Sequence, residues 1–147
     1  PVTVDVERGY GAGTPEDVYG TVRGVLAAGA AGINLEDGPG DAGAPLLDVA
    51  RQAERLAAAR AAATDAGIAL FVNARVDVWL RAVGDPASRL DATLARAARY
   101  VAAGADGIFV PGVADAATIA ALAAGIAAPL NVMAVPGTPP RDALQAL

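Results

Sequence analysis

The chain has 147 residues, 54% of them hydrophobic, and a net charge of −5, enough for one packed core and too little for two ordinary domains. Its 11 basic residues are all arginines, scattered rather than clustered, which argues against a nucleic-acid partner. No run reaches the roughly 20 apolar residues of a membrane span and no signal peptide opens the sequence, so a cytoplasmic protein is expected. With no Cys, His or Lys, a disulfide framework, a thiol nucleophile, an imidazole base, a Schiff-base lysine and zinc bound through nitrogen or sulfur are excluded from this stretch.

In chain order, VTVDV at 2–6 predicts a strand with Asp5 and Glu7 alternating at its mouth, followed by a Gly9-Tyr10-Gly11 turn. Thr14-Pro15-Glu16-Asp17 then starts a helix, with Thr14 as N-cap, Pro15 in the first turn and two acids favoured by the helix dipole, ending near Gly29. GINLE at 32–36 is the second strand and a helix follows from about Asp48 to Asp65. ALFVNAR at 69–75 predicts the third strand, with a helix from about Pro86 to Ala103; GIFVP at 107–111 the fourth, with a helix from about Asp115 to Ala124; and LNVMAV at 130–135 the fifth. The strand runs lack polar alternation, as parallel strands buried on both faces do. AAGAAGINLE at 27–36 and AAGADGIFVP at 102–111 echo one another, so the rhythm is that of repeated βαβ units.

A doubly wound sheet and a TIM barrel are both compatible with that rhythm. The dinucleotide-binding form is disfavoured because Gly9-Tyr10-Gly11-Ala12-Gly13-Thr14 lacks the third glycine of its fingerprint and follows acids that would repel a pyrophosphate. In a barrel, chemistry sits at the C-terminal strand ends, here Asp5, Glu7, Glu36, Asp37, Asn73, Arg75, Asp77 and Asn131. Converging carboxylates repel unless a cation lies among them, and all-oxygen ligation suits Mg²⁺, with Mn²⁺ the other candidate. Each residue also has a plainer reading: an acid that caps a helix, an Arg75 paired with Asp77, a Tyr10 that covers the barrel end, an Asn73 that braces a loop.

The blocks VDVERGYG, GINLEDG, FVNARVDVWL, ADGIFVPG and PLNVM, in that order and spacing over essentially the whole chain, resemble the isocitrate lyase/phosphoenolpyruvate mutase superfamily. The resemblance implies a (β/α)₈ TIM barrel, with residues 1–147 a single partial domain covering about strands three to seven; strands one and two would precede Pro1 and strand eight would follow Leu147. It implies a Mg²⁺-dependent lyase or mutase acting on a C–C or P–C bond of a small 2-oxo acid or related carboxylate through an enolate. It further implies metal binding by Asp5 directly and by Glu7 and Glu36 through water. Arg75 would hold the substrate's carboxylate or phosphonate with Asn73 nearby, and Gly9 and Gly11 would form the loop beside the metal. In a chain without His, Cys or Lys, the proton for the enolate would come from Tyr10, water, the substrate itself or segments outside this stretch. The expected partners are a small anionic substrate and further copies of the chain as a homo-oligomer, with neither nucleic acid nor membrane.

After Glu36, DGPGDAGAPLLD at 37–48 lacks the Lys-(Lys/Arg)-Cys-Gly-His core of isocitrate and methylisocitrate lyases and the lysine usual in phosphonomutases, so isocitrate cleavage by the usual route is not expected. What remains is similar to the phosphonomutase-like branch, for which Val-Pro-Gly at 110–112 is typical wording. Two rival readings are a class II pyruvate-type aldolase and a non-catalytic barrel fragment serving as a binding or assembly module. The stretch 37–48, rich in Gly and Pro, is expected to be exposed and to act as a lid.

Overall fold

The five strand predictions share one sheet. In the computed structural model, which describes residues 1–38 and 43–147, β1 (Thr3–Asp5), β2 (Gly32–Glu36), β3 (Phe71–Arg75), β4 (Gly107–Val110) and β5 (Leu130–Val132) lie side by side in sequence order. Every pairing is parallel. Between them run α1 (Pro15–Ala27), α2 (Val49–Asp65), α3 (Arg89–Ala102) and α4 (Ala116–Gly125), and α5 (Arg141–Leu144) closes the chain. Each of α1 to α4 packs against the next, so the helices form one layer against one face of the sheet. That is the wall of a (β/α)₈ barrel over part of its circumference, whereas an open doubly wound sheet places helices on both faces.

Register explains why the two faces differ. Successive side chains of a strand alternate between faces, and the pairing aligns Ile33 with Val72, and Leu35 with Ala74 and Ile108. These five residues have no exposed surface. At about 1.5–3 kcal/mol for each large aliphatic side chain withdrawn from water, this is the face that drives folding. The opposite face carries Asp5, Asn34 and Asn73 in one row and Glu36, Arg75 and Phe109 in the next. It is more open than a strand buried on both sides: Thr3 and Asp5 are exposed and Phe71 retains 43% of its surface. The expectation of burial on both faces therefore holds only in part, because this face points toward the barrel interior.

The helix starts follow their capping chemistry. Thr14 and Asp17 form a reciprocal capping box at α1, and Asp48 and Asp115 accept amides of the first turn at α2 and α4. The helix expected from Pro86 begins instead as a 3₁₀ turn, Pro86–Ser88, with α3 proper starting at Arg89. Asp85 accepts the Ala87 amide there, a local bond that holds the chain in a tighter turn. β1 and β5 are shorter than expected, and no helix among the described residues is long and apolar enough to cross a membrane.

Candidate active site at the strand ends

The C-terminal ends of β1, β2 and β3 assemble the charged groups. Arg75 closes β3 and Glu36 closes β2, and the two are register partners. The Arg75 Nη1 meets a Glu36 carboxylate oxygen at 2.7 Å. Two residues on, the wholly buried Asp77 receives Arg75 Nε at 2.6 Å and Nη2 at 3.0 Å. The plain reading of Arg75 as the partner of Asp77 is correct as geometry, and its guanidinium is also bound to Glu36. Burial works against the Arg75 charge, but Asp77, Glu36 and Asp5 outweigh it and raise the guanidinium above its usual range.

The Glu36 carboxyl is also raised, which for a carboxylate disfavours the charged form. Burial pushes it up, Arg75 and Arg81 pull it down, and Asp77 and Asp5 push it up again. The influence of Asp5 agrees with its place on the same face one strand away. Its Oδ1 accepts the Glu7 amide at 2.8 Å, and its second oxygen has no protein partner among the described residues.

Glu7 differs from the sequence expectation. β1 ends at Asp5, and Glu7 sits in the following turn with φ 49°, so the two acids do not alternate along a strand. Its carbonyl accepts the Glu36 amide at 2.9 Å, which ties the turn to β2. Among the described residues no three acids lie close enough to form a metal-binding group, so Asp5, Glu7 and Glu36 do not by themselves make a three-carboxylate cage. The donor chemistry still suits a hard cation: Asp5 has an open oxygen, Glu36 lies on the same face, and Mg²⁺ commonly touches one or two carboxylates and keeps water elsewhere.

The loop after β1 is strained. Tyr10, half exposed, has φ 59°, a conformation uncommon for a residue with a side chain. Gly9 has φ 86°, and a Cβ there would meet a Val18 methyl at 2.4 Å, so only glycine lets the turn lie on α1. Gly11 has φ 56° in the same turn. Arg55, buried on α2, donates to the carbonyls of Arg8 and Glu36 and to Gln52, fastening the loop to the end of β2. Burial holds the pKa of this guanidinium down to about 10.

Asn73 lies one layer below Arg75 and its Nδ2 donates to Asn34 Oδ1 at 2.8 Å. Its own Oδ1 is buried and has no hydrogen-bond partner among the described residues. Asp37, also wholly buried, accepts the Asp77 amide on Oδ1 and the Tyr100 hydroxyl and Arg96 Nη1 on Oδ2. Burial raises the Asp37 carboxyl, while the Asp77 amide, Tyr100 and Arg96 counter it. Arg55, Arg81, Arg96 and Tyr100 were not singled out from the sequence. The one local signal was the spacing of Arg81 four residues after Asp77. Of the expected exposed lid, residues 39–42 lie outside the described residues; in the remainder Asp37, Gly38, Leu46 and Leu47 are buried and only 43–45 and Asp48 are exposed, so the expectation of exposure holds only in part.

A parallel sheet with helices on one face and an Arg–carboxylate cluster at its C-terminal strand ends defines a barrel of the type that builds active sites at that rim. The whole chain, residues 1–147, matches the family of phosphoenolpyruvate phosphomutase. The chain belongs to that family, within the phosphoenolpyruvate mutase/isocitrate lyase superfamily. It is 39% identical over 137 residues to an uncharacterised protein of Mycobacterium tuberculosis, covering 92% of this chain and 47% of that one. It is 33% identical over 138 residues to an oxaloacetate decarboxylase of Bradyrhizobium, covering 92% and 46%. A crystal structure of a candidate phosphonomutase from Burkholderia cenocepacia superposes with a TM-score of 0.91 at 50% identity, over 99% of this chain and 58% of that chain. A phosphonopyruvate hydrolase in complex with oxalate and Mg²⁺ superposes with a TM-score of 0.74 at 28% identity, over 90% and 45%. The chain thus spans about half the length of the curated relatives it matches.

Proposed function

We propose that the protein is a Mg²⁺-dependent lyase or mutase-type enzyme that breaks a C–C or P–C bond of a small 2-oxo acid or related carboxylate, through an enolate. The observation that carries this reading is the strand-end cluster: Arg75 held by Glu36 and Asp77, with the open oxygen of Asp5 on the same face. Oxaloacetate decarboxylase and phosphonopyruvate hydrolase among its relatives support the substrate class.

In this reading Asp5 would hold the cation directly, and Glu36 and Glu7 would act on it through water. A divalent cation bound there supplies Lewis acidity at the substrate's oxygens. Arg75, kept charged and rigid by two carboxylates, stabilises the anion that develops as the bond breaks. Asn73 lies beneath it with an unpartnered carbonyl oxygen that accepts a donor from substrate or water. Gly9 and Gly11 shape the loop that borders the substrate, and Tyr10 on that loop is the proton donor.

The test is exchange of the methyl protons of pyruvate in D₂O, followed by NMR with the full-length protein and Mg²⁺, beside turnover of oxaloacetate, phosphonopyruvate and 2-methylisocitrate. Exchange that requires Mg²⁺ and falls at least a hundredfold in Asp5→Asn, with the melting temperature unchanged, is the expected outcome. Exchange that persists in Asp5→Asn removes the metal role of that residue. A protein inert toward all four compounds points instead to a binding or assembly module.

A further inference from the structure

Arg75 is already heavily engaged within the protein. Its Nε, Nη1 and Nη2 are each already bonded to a carboxylate oxygen, of Asp77 or Glu36. Two of its five N–H groups remain, and an anion approaching Arg75 would meet the two carboxylates beside it as well as the positive charge.

A second guanidinium lies beside it. Arg81 reaches Asp77 Oδ2 through Nε at 3.2 Å, while its side chain keeps 32% of its surface exposed. Its two terminal nitrogens donate no hydrogen bond among the described residues. The side chain lies directly over Gly38, two residues beyond Glu36: a Cβ on Gly38 would come within 2.5 Å of Arg81 Nε and 3.1 Å of Asp77 Oδ2. The absent side chain at position 38 is therefore the space the guanidinium occupies, beside the strand-end cluster and close enough to Glu36 to bear on its charge. Asp77 fixes the Nε edge, which leaves the fork of terminal nitrogens free and pre-oriented for a carboxylate or phosphonate.

We propose that Arg81 is the specificity-determining arginine of this site, holding the remote anionic group of a dianionic substrate while Arg75 stays bound to Glu36 and Asp77. This rests on the reading of the site as one for small 2-oxo acids, and adds that the substrate carries a second anionic group at its far end. Two ligands separate the roles. Oxalate has only the short dicarboxylate unit, whereas 3,3-difluorooxaloacetate adds a carboxylate beyond the 2-oxo acid.

The experiment is isothermal titration calorimetry of both ligands, with saturating Mg²⁺, on the full-length protein and its Arg81→Gln, Arg81→Lys and Gly38→Ala variants. Arg81→Gln is expected to weaken difluorooxaloacetate roughly tenfold or more, the size of one charge-assisted hydrogen bond, and oxalate less than about twofold. Arg81→Lys should recover part of the loss. Gly38→Ala, which leaves Arg81 in the sequence but takes its space, should reproduce the selective loss. Equal weakening of both ligands, or no weakening of either, in a protein whose wild type binds both overturns the role of Arg81 alone. A wild type that binds neither ligand overturns the 2-oxo acid reading and this proposal with it.

Discussion

Asp77 is the residue on which the arginine geometry depends. It has no exposed surface, and its carboxylate accepts from both Arg75 and Arg81 while its amide is held by Asp37. Breaking a buried pair typically costs about 3–5 kcal/mol because the remaining charge is stranded. Arg75 keeps Glu36 and some access to water, so the lower figure, about 3 kcal/mol, is expected for Asp77→Ala in urea unfolding of the full-length protein. A loss under about 1 kcal/mol would mean that solvent already screens the cluster. At this scale the site was legible where chemistry and position coincide: Asp5, Glu36 and Arg75 stand at the ends of strand-like runs, among the few titratable groups there. The supporting residues were not legible. Arg96 and Tyr100 meet Asp37 across 59 and 63 residues of chain, and in sequence they read as ordinary members of an amphipathic helix. Arg55 likewise reads as a surface arginine of an Ala-rich helix, and only the packing of α2 against the β1 loop reveals that it is buried. Glu7 departs from its expected place because the alternation of Asp5 and Glu7 continues the strand pattern past the point where the backbone turns to positive φ.

The elements were the most legible level, since each start carries its own signal. The N-cap of Thr14 could be read directly, and the structure has it, with Asp17 completing a capping box; Asp115, where the fourth helix was expected to begin, is its N-cap. Pro86 misled, because proline suits the first turn of an α-helix and of a 3₁₀ turn equally well, and only the Asp85 side-chain bond to Ala87 distinguishes them. Asp115 offers a test of an element's start. Its Oδ1 accepts the Thr118 amide at 2.8 Å, and this bond lowers the carboxyl below its ordinary 3.8. A carboxylate with a depressed folded-state pKa contributes stability that is present above the unfolded value and lost as pH falls through the folded one. Asp115→Ala is therefore expected to cost on the order of 1 kcal/mol at pH 7. Its gap from the wild type should narrow on acidification below pH 3.8, the window set by the lowered value. Urea unfolding at a series of pH values checks this, and a gap that widens on acidification would show that the carboxylate is not what caps α4.

For the molecule as a whole, the repeated strand–helix unit carries the parallel order β1 to β5, but not what covers the sheet's other face and its two edges. The interior face exposes Thr3, Asp5 and Phe71, and Val2 beside β1 is 68% exposed. β1 and β5 each pair on one side only among the described residues, so both present a row of unpaired backbone donors and acceptors. A barrel removes edges by closing on itself, and relatives about twice as long have the chain to do so. The helix-side core of Ile33, Leu35, Val72, Ala74, Ile108 and Val110 is complete without closure, so residues 1–147 expressed alone are expected to keep helical and strand signatures in far-ultraviolet circular dichroism. The same chain is expected to bind the hydrophobic dye ANS through the open interior face and to self-associate through its edges, eluting above monomer size in gel filtration at micromolar concentration. The two behaviours have separate causes, and a charged residue at the interior position of Phe71, as in Phe71→Glu, should reduce dye binding while leaving edge association in place. A monomer that excludes the dye would mean that the interior face and the edges are covered within these 147 residues, and closure by further strands would then no longer be needed to explain a stable fold.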